Sequence, residues 1–127
     1  MSTLKADTIQ STSGGAATLT KQSAAKAWSN FNGTSTPALR DSFNLSSISD
    51  DAAGKYTLSY TSAMGNTNYS IGAVGSRDVG ESTTKFIIYD ADDTFTASAT
   101  QVRFISRADD SSTDNTHGCT QTHGDLA

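Results

Sequence analysis

The chain is poor in the residue types on which small folds and enzyme sites most often rely. One cysteine, Cys119, among 127 residues leaves no partner for an intrachain disulfide, which excludes the stapled frameworks of small extracellular domains. Large apolar side chains are scarce: 6 Leu, 6 Ile, 3 Val and 5 Phe, or 20 of the 127 residues. Disorder would need a high net charge as well, and here it is only -4. The longest large-apolar run is Phe86-Ile87-Ile88-Tyr89, far short of a membrane-spanning helix. Met1-Ser2-Thr3-Leu4-Lys5 has no hydrophobic stretch of the signal-peptide kind, so the expectation is a chain made soluble inside the cell that synthesises it. The nine basic residues stand singly in a chain of pI about 4.8. This argues against nucleic acid and anionic membrane as partners, because both need clustered Lys and Arg.

What the chain has in quantity is hydroxyl: 19 Ser and 19 Thr, close to a third of all residues. So few large apolar groups have to offset the entropy of ordering the whole chain. Burial between copies is one solution, since an oligomer adds core without adding sequence. A monomer with an unusually small core is the other.

Along the chain, residues 1–20 read as an extended N-terminal arm. Leu4 and Ile9 are the only large apolar groups before Leu19, and Ser11-Thr12-Ser13-Gly14-Gly15 is a flexible break. Such a segment orders only against a sister chain or another partner. Thr20 could cap a two-turn helix over residues 21–27. From Ala27 onward the period is near two. Tyr56, Leu58 and Tyr60 alternate with Thr57, Ser59 and Thr61, and the turn-forming stretch from Ser49 to Lys55 makes residues 43–61 an antiparallel hairpin. Further strands are expected around Tyr69–Ala73, Phe86–Tyr89, Phe95–Ala99, Gln101–Ser106 and Asn115–Gly124. The total of six to eight short strands predicts an all-β fold, a small antiparallel β-sandwich or barrel-like domain over residues 21–127. No internal repeat is present.

Candidate chemistry is sparse. There is no Gly-x-Ser-x-Gly elbow and no phosphate-binding glycine loop, and Glu81 is the sole glutamate. Nothing assembles a nucleophile, a base and an orienting group, so no enzyme and no cofactor are expected. The segment from His117 to His123 is the sharpest local feature. On a strand His117, Cys119, Gln121 and His123 share one side. Three chains around an axis could then offer His117, Cys119 and His123 to one metal ion. The plainer reading is a polar outward strand face with an inert thiol, because one chain alone supplies too few ligands for a closed site. Asp90-Ala91-Asp92-Asp93 lacks the spacing of a calcium loop and reads as a solvated turn, as do Asp50-Asp51 and Asp109-Asp110. Trp28, Tyr56 and Tyr60 are expected in the core from their alternation, leaving glycan stacking as the minor alternative.

Several segments carry a resemblance. They are Ser2-Thr3-Leu4-Lys5-Ala6-Asp7-Thr8-Ile9-Gln10 with Thr12-Ser13-Gly14-Gly15; Lys26-Ala27-Trp28-Ser29-Asn30-Phe31-Asn32-Gly33-Thr34 continuing through Leu39-Arg40-Asp41-Ser42-Phe43-Asn44; Tyr56-Thr57-Leu58-Ser59-Tyr60-Thr61-Ser62-Ala63-Met64 with Asn68-Tyr69; and the closing His123-Gly124-Asp125. In combination they resemble a tail-fibre-type module in virion proteins of aquatic (marine and cyanobacterial) tailed bacteriophages. The resemblance implies a virion surface protein assembled in the host cytoplasm, a homotrimer without catalytic residues. It also implies an arm directed at the particle, with Leu4, Lys5, Asp7 and Ile9 as attachment residues and other tail or capsid proteins as partners. Host-surface contact, through a glycan, would fall to the loops. The alternatives are a capsid decoration or cement protein and a carbohydrate-binding module.

Overall fold

A computed structural model describes residues 11–13, 24–76, 85–88 and 95–127. The expected arm residues Leu4, Lys5, Asp7 and Ile9 and the turn at Asp90–Asp93 lie outside the described residues. Eight strands follow in order: β1 (Ala27–Asn32), β2 (Ala38–Phe43), β3 (Leu45–Ala52), β4 (Lys55–Tyr60), β5 (Ser70–Gly75), β6 (Lys85–Ile88), β7 (Ala99–Ser106) and β8 (Gly118–His123). They form two four-stranded sheets, ordered β2-β1-β8-β5 and β3-β4-β7-β6, with every pairing antiparallel. The all-β antiparallel sandwich expected from the pattern is what the chain forms.

Three local expectations are corrected. No helix occupies the described part of residues 21–27: Lys26 N–H already donates to Thr122 O, extending the β1–β8 ladder ahead of Ala27. Phe95–Ala99 is not a strand. Thr96 N–H donates to Ala99 O and Ala99 N–H to Thr96 Oγ1, which closes a tight turn before β7. The stretch Phe43–Ser46 is not one strand, because Asn44 stands at φ 57° in the left-handed region. Its amide secures that corner by donating to Lys26 O and Ser62 O, and by accepting from Ser62 N–H. The chain leaves the first sheet at Phe43 and enters the second at Leu45. The hairpin is therefore β3–β4, and its turn places Gly54 at φ +67°, where a side chain would also strike Phe104 O.

Alternation puts Phe31, Tyr56, Leu58, Val102 and Phe104 between the sheets, fully or almost fully buried. Three rings meet there edge to face: Phe31–Tyr56 at 5.2 Å, Phe31–Phe104 at 6.1 Å and Tyr56–Phe104 at 6.0 Å between centroids. A second cluster joins Ala27, Tyr60, Met64 and Tyr69, with Phe95 stacked on Tyr69 at 4.2 Å. Much of the remaining interior is hydroxyl, as the composition requires. Ser29 Oγ and Thr120 Oγ1 lie 2.6 Å apart, and Tyr60 Oη lies 3.3 Å from Thr122 Oγ1. Paired in this way, a buried hydroxyl avoids most of its desolvation penalty. A small apolar set closes the sandwich because hydroxyl pairs such as these help to complete it.

Candidate functional site

The two outer faces of the sandwich differ in kind. On the β3-β4-β7-β6 sheet, register aligns Ser49, Thr57 and Gln101 in one row and Lys55 with Arg103 in another. Asp51 Oδ2 accepts from Thr57 Oγ1 at 2.5 Å and from Gln101 Nε2 at 2.6 Å. Apart from the half-buried Ile105, these outward positions are polar, and Asp51, Thr57 and Gln101 satisfy one another.

The outer face of β2-β1-β8-β5 carries large apolar side chains as well as polar ones. Inward positions Ala27, Ser29 and Phe31 on β1 and Gly118, Thr120 and Thr122 on β8 leave Trp28, Asn30, Cys119, Gln121 and His123 outward. Register builds two rows across the four strands: Phe43–Trp28–Gln121–Gly72 and Asp41–Asn30–Cys119–Val74. Among the described residues, the exposed large hydrophobics are Trp28 (37%), Phe43 (48%) and Val74 (63%), and all three stand on this face. Gly72 contributes no side chain beside Gln121. The gap is a shallow groove of about 400 Å³ lined by Gly72, Ala73, Val74, Cys119, Thr120 and Gln121. Charge is sparse, with Lys26 just ahead of β1 on the same ladder. The four strands contain only Arg40 and Asp41, of opposite sign and adjacent, and Arg40 Nη1 is engaged by Phe31 O at 2.8 Å.

Trp28 corrects the expectation that it belongs to the core. A strand has period two, so Trp28 and Phe31, three positions apart, cannot both point inward. Phe31 takes the interior, where Gly118 leaves room for its ring, and Trp28 is turned out. Tyr56 and Tyr60 are buried as expected.

His117, Cys119 and His123 do lie on the outward side of β8 and its lead-in. Cys119 and His123 are four steps of strand apart, about 13 Å at 3.3 Å per step. Gln121 stands between them. Among the described residues no three or more His, Cys, Asp or Glu side chains gather where one ion could be held. Asp109 accepts from Ser111 N–H and Ser111 Oγ, bonds that draw its carboxyl below the usual range.

At one end of the sandwich a polar network ties the hairpin to the lead-in of β8. Tyr56 Oη lies 2.9 Å from Gly33 O and 3.1 Å from Asp114 Oδ1, while Gly54 N–H donates to the same carboxylate oxygen at 2.7 Å. Lys85 Nζ donates to Asp114 O at 2.8 Å. Burial, reinforced by the Asp114 charge, pushes the Tyr56 hydroxyl well above its ordinary pKa. The contacts are with backbone and with each other, so the network braces the fold.

Fold and surface together define an antiparallel β-sandwich in which one outer face carries the three exposed large hydrophobics among the described residues, set between polar side chains and with little charge. Compared with known protein families, curated proteins and solved structures, the chain matches none.

Proposed function

We propose that this chain is a non-enzymatic subunit of a bacteriophage virion appendage of the tail-fibre type. It assembles as a homotrimer, attaches to the particle through residues 1–20, with Leu4, Lys5, Asp7 and Ile9 as contacts, and presents loops to the host surface. The sequence resemblance supplies the virion and the trimer. The observation that carries the self-associating part is spatial. The resembling segments Lys26–Thr34 and Leu39–Asn44 cover β1 and all but the first residue of its neighbour β2, and their register sets Trp28 opposite Phe43 on the open face. Exposed apolar groups placed side by side on a sheet mark an interaction surface.

Two measurements test the reading. Sedimentation equilibrium of the purified chain at micromolar concentration should give three times the monomer mass; a stable folded monomer overturns the proposal. Quantitative mass spectrometry of virions should find few copies per particle. Hundreds of copies would instead assign the chain to capsid decoration, and absence from purified virions would remove the viral reading altogether.

A further inference from the structure

The open face of the β2-β1-β8-β5 sheet calls for an occupant, and three observations select among the candidates. The first is charge. Each copy carries -4, so two copies repel unless they meet where that charge is not. The four strands of this face hold one cation and one anion beside each other, whereas Asp50 and Asp51 lie on the other sheet and Asp109, Asp110 and Asp114 between β7 and β8. The second is chemistry. A sugar needs convergent donors and acceptors; the groove itself offers Val74, Cys119, Ala73 and Gly72, with Gln121 as its one exposed polar side chain, while Asn30 and Asp41 stand in line with Cys119 and Val74 toward the β2 edge. The third is area. Four strands spaced about 4.8 Å apart and about 20 Å long present roughly 400 Å². A stable interface needs about 800 Å² per partner. This face therefore supplies about half of such a contact.

We infer that this face is the contact between copies of the chain, with Trp28, Phe43 and Val74 as its apolar anchors and Cys119 and Gln121 between them. The inference rests on the reading of the chain as a self-associating subunit and specifies which surface does it. The β3-β4-β7-β6 face, with Asp51 satisfied by Thr57 and Gln101, then stays in water.

The test uses the full chain and its one tryptophan. Sedimentation velocity and Trp28 emission are followed together over a dilution series for wild type, Phe43→Arg, Val74→Arg and the control Ser47→Arg. All three substituted side chains are exposed, the control on the polar face, and far-UV circular dichroism confirms that each variant folds. The expected result is a wild-type oligomer whose Trp28 emission shifts to the red, and becomes accessible to acrylamide, on dissociation. Phe43→Arg and Val74→Arg each weaken association about tenfold or more, while Ser47→Arg leaves it unchanged. An oligomer that persists in folded Phe43→Arg and Val74→Arg, with Trp28 open to acrylamide throughout, overturns this surface and leaves self-association standing. A wild-type monomer overturns both. A Trp28 signal that responds to host surface polysaccharide and not to protein concentration assigns the face to a glycan and refutes the inference.

Discussion

Gly118 is the position at which the packing argument makes its most demanding prediction. A Cβ there would lie 2.3 Å from Phe31 Cζ and 2.6 and 2.7 Å from the two Cε atoms. Carbon atoms in contact sit about 3.5–4.0 Å apart, so the ring would have to retreat by more than about 1 Å. It has nowhere to go, because Phe31 is fully buried with Tyr56 and Phe104 set edge-on against it. Overpacking of this kind costs about 1–3 kcal/mol, and the enclosed ring puts Gly118→Ala at about 3. Phe31→Leu alone removes ring volume and should cost about 2 kcal/mol. In the double variant the added methyl occupies the space the ring gives up, so the losses fall short of their sum by about 1–2 kcal/mol. Urea unfolding followed by far-UV circular dichroism measures all three, at one protein concentration because association adds stability. Gly118→Ala within about 0.5 kcal/mol of wild type would refute the packing argument. Additive losses in the double variant would place the effect somewhere other than the Phe31 ring.

Other consequences follow from hydrogen bonding and titration. Burial raises the hydroxyl pKa of both Tyr56 and Tyr69, so the unfolded chain releases those protons first, near pH 10. Their contribution is complete below about pH 10 and is lost as the pH rises toward the folded-state values. Denaturation between pH 8 and 11.5 should show stability falling at the alkaline end, less steeply in Tyr56→Phe; a flat profile would contradict the burial of these hydroxyls. Asn44→Ala should be less stable than Asn44→Gly by about 1 kcal/mol, since both lose the corner's amide bonds but only alanine keeps the left-handed strain. The reverse order in thermal unfolding would mean that φ at this corner is not what matters. Asp51→Ala should cost about 1 kcal/mol by removing the acceptor that Thr57 Oγ1 and the buried Gln101 amide share. Asp51→Asn, which keeps an acceptor, should cost less than half of that, and equal losses would point to charge.

Alternation alone makes β4 legible, because Tyr56, Leu58 and Tyr60 are large at every second position and the residues between them carry hydroxyls. Ala53-Gly54 marks the β3–β4 turn, and β7 and β8 show their own periods. The corner at Asn44 is less visible, since Phe43 and Leu45 continue the same alternation through a residue that leaves the sheet. Phe95 reads as strand for a related reason. Its ring is in the second core cluster, but it is held by stacking on Tyr69 and by a turn, which period cannot distinguish from a strand. For Trp28 the signal is present and incomplete: period two requires either Trp28 or Phe31 to face outward, without saying which. The outward row of His117, Cys119 and His123 is readable from spacing alone, although spacing does not say what lies opposite them.

What the sequence by itself determined is what depends on neighbours along the chain: the strand period, the turns, the all-β class, and a hydroxyl-rich composition that leaves an unusually small apolar core. Only the tertiary structure decided which apolar residues remain uncovered. Trp28, Phe43 and Val74 come from three strands separated by as many as 46 positions, and register alone sets them on one face. The physical reason is that side-chain direction is local, whereas the pairing of β1 with β2 and β8, and of β8 with β5, is a property of the whole sheet. The row of exposed apolar side chains on which the proposed assembly rests therefore exists only after the chain has folded.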